Sequence, residues 1–436
     1  MILTNRRLLI IADDLTGAAD AGAAARRAHP KSKCVIIPWY GESSDNRAVD
    51  AWGRVDATQK PEILCVSTNS RNVDPVEAGV RVGKAVEWST GRGFRLFKKI
   101  DSLLRGQVAA ELASFMDASP SRACLLAPAL PSQGRTTRGG IQYHRGERVA
   151  ESQARKDPHA PPSSSRLDLL APDGVTVHRL GVAEVREDSL PQKLLEYVAI
   201  GGLIIADALI EQDLQTLHDC ALEIEALDLV GSAGLLSPNG LDQPTGWASA
   251  RRPTLVVSAS RRTEVEEQCD VLSRVVGESC CIVIHPSHCP DSAELARDVA
   301  ETLHREGVCV VTVTPSTELD ADENIRREVG AMLLRTLAES VCVTIPAVSS
   351  QALVVLIGGD LSQAVCERWS VESLSVLGTG IDGGVVASIV GRSDLADVRL
   401  IIRSGGFGGP DSLAELAFAA RGSAEMGGAQ PWFASD

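Results

Sequence analysis

The amino-acid sequence predicts an α/β protein of two domains, each a mainly parallel β-sheet flanked by helices in the Rossmann-like manner. Short apolar runs alternate with helix-like stretches along both halves of the chain. Its 436 residues are too many for one ordinary domain. Apolar residues make up 44% but aromatics only 3%, so Ala, Val, Leu and Ile must fill the cores, which suits strands buried on both faces.

Taken in order, the runs at 8–12, 34–38, 63–67, 124–127 and 203–206 are predicted strands of the first half, and those at 254–258, 281–284, 308–313 and 353–357 of the second. Between them, 237–253 holds three prolines, two glycines and little apolar periodicity, and reads as a linker. The predicted domains therefore span 1–240 and 250–436. Residues 128–165, rich in Gly, Pro, Ser and Arg, read as irregular, and so long an irregular stretch is usually functional or mobile.

The net charge of -14 and the lack of a basic stripe argue against a non-specific nucleic-acid binder, and no nucleic-acid partner is expected. Eleven scattered cysteines without a CxxC pair point to a reducing, cytoplasmic setting. His285, His288 and Cys289 read as a loop, not a zinc site, because Pro286 and Pro290 break the stretch. Asp13 and Asp14 interrupt the N-terminal apolar run before signal-peptide length, and no other stretch approaches spanning length, so no membrane association is expected. A homodimer is compatible with the sequence.

The candidate chemistry begins where strand 8–12 runs into Asp13-Asp14-Leu15-Thr16-Gly17-Ala18 and an Ala-rich helix. Ligands of open α/β sheets bind beyond the carboxyl ends of strands. The two carboxylates there could accept hydrogen bonds from polyol hydroxyls or hold Mg²⁺, or one could simply cap the helix. A second cluster, Lys98 to Gln107, brings together Lys99, Asp101 and Arg105, either to meet one anion or as a solvated charged turn. A third follows strand 124–127 and includes Arg135 on a Gly/Pro-rich loop. Asp207 ends another strand, and Gly231 to Leu235 reads as a tight turn.

In the second half three elements follow apolar runs: Ser258-Ala259-Ser260, Gly358-Gly359-Asp360 and Gly405-Gly406-Phe407-Gly408-Gly409. Glycines let backbone N–H groups approach phosphate oxygens, so together these suggest a nucleotide, while each alone could be a tight turn. No Walker A or opening GxGxxG motif is present, so neither a P-loop nor a typical dinucleotide site is indicated.

As a set, these motifs resemble the four-carbon acid sugar kinases. The matching stretches are Ile11 to Ala18, Lys99 to Gly106, Pro131 with Gly134 to Thr136, Asp157-Pro158, Asp207-Ala208, Gly231 to Leu235, Gly358 to Asp360 and Gly405 to Gly408. The resemblance implies ATP-dependent phosphorylation of threonate, erythronate or 3-oxo-tetronate. It implies a sugar acid at Asp13, Asp14, Lys99, Asp101, Arg105 and Arg135, with Asp13, Asp14, Asp101 and Arg105 catalytic. It implies ATP with Mg²⁺ at Ser258, Gly358, Gly359, Asp360, Gly405 and Gly406, and closure of the two domains for transfer. Where this family usually has threonine, Leu103 and Leu361 stand, Ala259 replaces a glycine and Arg403 a lysine. A weakly catalytic relative that binds without turnover is the alternative these changes suggest, and on that reading Leu361→Thr would raise activity.

Overall fold

The computed structural model describes residues 7–41, 46–157, 160–236, 252–260, 263–314, 323–380, 383–405 and 407–421. The chain divides into two compact units, Met1–Leu241 with Ser370–Val376, and Asp242–Trp369 with Leu377–Asp436. Residues 237–251, most of the expected linker, lie outside the described residues.

The first unit opens with β1 (Arg7–Ala12), α1 (Leu15–Ala28), β2 (Cys34–Ile37), α2 (Arg47–Gln59), β3 (Ile63–Ser67), α3 (Pro75–Ser89), β4 (Phe94–Lys99), α4 (Val108–Ala118) and β5 (Ala123–Ala127). Then come three short strands, β6 (Arg135–Arg138), β7 (Ile141–His144) and β8 (Glu147–Arg148). They form a small antiparallel sheet inside the stretch the sequence predicts as irregular. Glycine turns between strands of two to four residues hide the alternation that would reveal them. The unit continues with β9 (Val177–Leu180), α5 (Val182–Val185), α6 (Leu190–Ile200), β10 (Gly202–Ala206), α7 (Glu211–Leu222) and β11 (Leu227–Gly231).

Its main sheet runs β2-β3-β1-β4-β11-β5-β10-β9, all parallel. From β1 the chain moves outward to β2, and from β3 it crosses over β1 to β4, so the order reverses between β1 and β4. Right-handed crossovers then set α1 on one face and α2, α3 and α4 on the other. On that second face Leu9, Ile11, Val35, Leu64 and Leu126 pack against Val55, Val82, Leu112 and Phe115. Trp39, Trp52 and Trp88 join this core with ring centroids 6.0 and 5.8 Å apart.

The second unit holds β12 (Thr254–Ser258), α8 (Thr263–Val276), β13 (Cys281–Ile284), α9 (Ser292–Glu306), β14 (Val308–Val313), α10 (Glu323–Val348), β15 (Leu353–Ile357) and α11 (Gly359–Arg368). It ends with β17 (Val385–Val390), β18 (Arg399–Arg403) and α12 (Ser412–Arg421). The intervening β16 (Ser373–Thr379) counts with the first unit as far as Val376, where Leu374 and Ser375 pair antiparallel with Ile36 and Val35 of β2. The second sheet runs β13-β14-β12-β15-β18-β17, parallel except for β17. Its order reverses between β12 and β15.

One sequence expectation needs correcting. Glu328–Val348 does reach spanning length, with a mean hydropathy of 1.5. It lies in α10, which packs against α9 and α11, and Leu337, Ala338, Val341 and Ile345 are buried in the unit's core.

Candidate active site

At the reversal point of the first unit, β1 ends in Asp13 and Asp14 and β4 ends in Lys99, followed by Asp101 and Arg105. All but Arg105 are buried, Asp13 to 2% and Asp14 to 5% exposure. Buried carboxylates must be paired. Their partner is Arg71, in the loop after β3. Its Nε donates to Asp13 Oδ2 at 2.6 Å, and Nη1 and Nη2 donate to Asp14 Oδ2 and Oδ1 at 2.8 and 2.9 Å. Asp14 also caps α1, accepting from Gly17 N at 2.8 Å and from Thr16 Oγ1 at 2.5 Å. Capping and a charged-site role thus coexist in one side chain. Arg71 bridges the pair and offsets one of its two negative charges.

The Arg71 loop is itself held from below. Ser70 N and Arg71 N donate to Asp13 O, and Thr68 N to Ala12 O. Thr68 Oγ1 also bonds Ala12 O, and it meets Ser70 Oγ at 2.7 Å. Ser70 donates to Glu111 Oε1 at 2.5 Å, and Glu111 pairs with Lys98 at 2.7 Å, both side chains essentially inaccessible. Lys98 also donates to Lys99 O, tying β4 to the same network.

Asp101 is clamped by Arg105, whose Nε and Nη2 donate to it at 2.6 and 3.0 Å. Arg105 Nη1 reaches Asp157 at 3.3 Å; Pro158, beside it, lies outside the described residues. Burial alone would raise the Asp101 carboxyl, but Arg105, Arg71 and Lys99 together hold it well below its ordinary value. The same balance, burial against Arg71, Lys98 and Lys99, leaves Asp13 below its ordinary value. Lys99 is different. Its Nζ donates to Ile100 O and has no carboxylate within ion-pair reach among the described residues. A Cβ added at Gly17 would lie 3.2 Å from that Nζ and 2.6 Å from Asp14 Oδ1, so only glycine leaves room for both. Arg135, on β6, donates to Ser102 Oγ at 3.3 Å. Asp207 instead holds the β6–β7 turn, accepting from Gly139 N and Gly140 N at 2.6 and 2.9 Å.

In the second unit, Ser258, Gly358 with Gly359 and Asp360, and Gly405 follow the carboxyl ends of the neighbouring strands β12, β15 and β18. Gly406 lies outside the described residues. Gly358 has φ +116°, a region that side chains rarely enter, and it precedes α11 without a side-chain cap. Arg403 is 1% exposed and donates to Gln268 Oε1, Phe407 O and Ser412 Oγ at 2.9, 2.6 and 2.5 Å. It builds the last glycine loop from inside. Leu103 and Leu361, at 3% and 1% exposure, are core side chains. Packing rather than a ligand contact explains leucine there. Among the described residues, no group of three or more His, Cys, Asp or Glu is placed to hold a metal ion. Asp360 is exposed on the first turn of α11.

Sequence reasoning did not single out Arg71 or Asp20. Arg71 lies in Ser70-Arg71-Asn72, which matches no motif weighed there; its position after β3, the strand beside β1, was the available signal.

Charged side chains thus gather at the reversal point of the first unit, and glycine loops follow the strands at that of the second. A model of the sugar-binding N-terminal domain matches residues 8–238, and one of the nucleotide-binding C-terminal domain matches residues 255–413. The chain is 26% identical to the D-threonate kinase of Salmonella typhimurium over 94% of its length and 98% of that protein's. It is 28% identical to the D-threonate kinase of Bordetella bronchiseptica, over 94% and 97%. A crystal structure of a Salmonella typhimurium LT2 protein shares the fold, with TM-score 0.72 and 19% identity over 95% of this chain and 98% of that one. The chain belongs to the four-carbon acid sugar kinase family.

Proposed function

We propose that this kinase transfers the γ-phosphoryl group of ATP to a hydroxyl of D-threonate, in the cytoplasm. The observation that carries the reading is the buried charge at the end of β1 and β4. It offers Lys99, without a carboxylate partner, beside carboxylates fixed by Arg71 and Arg105. Lys99 takes the carboxylate of the acid. Asp13, Asp14, Asp101, Arg105 and Arg135 surround its hydroxyls and fix their orientation, since positioning supplies much of the rate in phosphoryl transfer. D-threonate is taken first because two end-to-end relatives carry that name. A 3-oxo-tetronate kinase of Cupriavidus necator matches over a similar span at 27% identity, which makes that acid the main competitor.

The nucleotide belongs at Ser258, Gly358, Gly359, Asp360, Gly405 and Gly406, with backbone N–H groups on the phosphates. Mg²⁺ carried with ATP would supply charge neutralisation at the β- and γ-phosphates, and Asp360 would hold it. The test is ADP release with D-threonate, D-erythronate and 3-oxo-tetronate. Wild type should favour D-threonate. Arg105→Ala or Asp14→Asn should abolish turnover while ATP still raises the melting temperature. Full activity in either variant rejects the acid site, and stabilisation by an acid without any turnover favours a binding protein.

A further inference from the structure

We propose that Asp20 is the general base that takes the proton from the acceptor hydroxyl. The proposal rests on the phosphoryl-transfer reading above and moves the base away from the aspartates at the strand ends. Arg71 holds both Asp14 oxygens and Asp13 Oδ2, and Arg105 clamps Asp101. Asp13 Oδ1 has no hydrogen-bond partner among the described residues, but against burial Arg71, Lys98 and Lys99 keep that carboxyl below its ordinary value. Lone pairs held in charge-assisted hydrogen bonds make poor proton acceptors.

Asp20 is placed differently. It lies on α1, three residues after Gly17 and four after Thr16, hence one turn along the same helix face. At Gly17 the Asp14 carboxylate and the Lys99 ammonium lie against α1, 2.6 and 3.2 Å from where a Cβ would stand. From 8 to 25 every residue is buried except Asp20, which alone keeps an opening to solvent. Its side chain has no hydrogen bond or ion pair among the described residues. The charges that face it are Lys99 from β4, Arg135 from β6, Asp14 from the loop before α1, and Arg27 further along α1.

The charge balance of the cluster gives the reason for its state. Arg71, Lys99, Arg105 and Arg135 stand against Asp13, Asp14, Asp101 and Asp157. An ionised Asp20 would add a further negative charge, with Arg27 the one remaining cation named above that faces it. Burial, with Asp14 acting in the same direction and Lys99, Arg27 and Arg135 opposing, pushes its carboxyl up to about 7. A base of that strength is suited to work near neutral pH. As the reaction proceeds, the acceptor O–H bond breaks and its proton goes to an Asp20 Oδ. The freed oxygen bonds to the γ-phosphorus, the bond to the bridging oxygen breaks, and ADP leaves. The proton then passes to water through the exposed side of Asp20.

The test uses full-length protein with D-threonate, D-erythronate, 3-oxo-tetronate and MgATP. For the acid that wild type turns over, kcat/KM should fall as pH drops below about 7. Asp20→Asn should lower kcat by about 100-fold or more with KM largely kept and should erase that limb, while Asp20→Glu restores part of both. Melting supplies an independent readout. A carboxyl raised in the folded state favours folding at low pH and loses that advantage as pH rises through about 7. The melting temperature of Asp20→Asn should therefore gain on that of wild type as pH rises from 5 to 8, whereas replacing a merely structural Asp20 would lose stability without that pH trend. If wild type is active but Asp20→Asn keeps kcat and the pH limb, the base assignment alone is overturned. If wild type phosphorylates none of the acids, the proposed function falls and the base with it.

Discussion

Between β1 and β4 of the first unit the crevice is walled by Asp, Arg and Lys; between β12 and β15 of the second it is walled by serine hydroxyl and glycine backbone. The two crevices arise from one topology, β2-β3-β1-β4 and β13-β14-β12-β15, in which the chain leaves the paired strands in opposite directions. The topology selects the place, and the residues placed there select the ligand. A small acid with several hydroxyls needs charged partners of fixed direction. A triphosphate needs close backbone approach and donors that do not themselves carry charge.

The largest effect that could break this division is expected at Lys98. Lys98→Met leaves Glu111 charged and buried beneath the Arg71 loop, which should cost about 3–5 kcal/mol. Urea unfolding followed by tryptophan fluorescence of the Trp39–Trp52–Trp88 group reads it, and a loss well under 1 kcal/mol would remove the network from the argument. A middle effect is expected on the other side. Gly358→Val forces a side chain into φ +116°, at a strain of about 1–3 kcal/mol, so ATP affinity should drop several-fold or more. Isothermal titration should show D-threonate binding unchanged; a loss of acid binding instead would mean that the two crevices do not divide the labour. The smallest effect is expected at Leu361. Because that side chain is in the core, Leu361→Thr should change kcat by no more than about threefold, less than one hydrogen bond is worth, with a modest loss of stability. A tenfold rise would sharpen the comparison the other way, by showing that a phosphate-facing hydroxyl had been missing.

Much of the scaffold was legible because parallel strands buried on both faces leave continuous aliphatic runs. The runs at 63–67, 254–258, 281–284, 308–313 and 353–357 coincide with β3, β12, β13, β14 and β15. The acidic and glycine-rich strand ends were legible for the same reason, since each follows such a run. Arg71 was not, because its partners Asp13 and Asp14 lie more than fifty residues away and only the β1–β3 pairing brings them near. Asp20 was hidden in an Ala-rich helix, where one acid normally signals a solvated face. Its significance comes from the burial of everything around it, a property of packing rather than of pattern. Residues 328–348 show the converse: an apolar stretch of membrane length whose meaning is set by the helices packed on it.

The seven residues from Ser370 to Val376 make the polypeptide pass between its units more than once. Their pairing closes the β2 edge of the first sheet, and Gln59 Nε2 anchors them through Ser373 Oγ at 2.8 Å. A ribosome that has released only the first 240 residues has therefore made a sheet with a bare β2 edge, the kind of surface on which unfinished chains pair with one another. That edge stays open until most of the second unit has also been synthesised. Gene truncations at the linker should inherit the same exposed strand, and fusing residues 370–376 back onto them is the natural remedy.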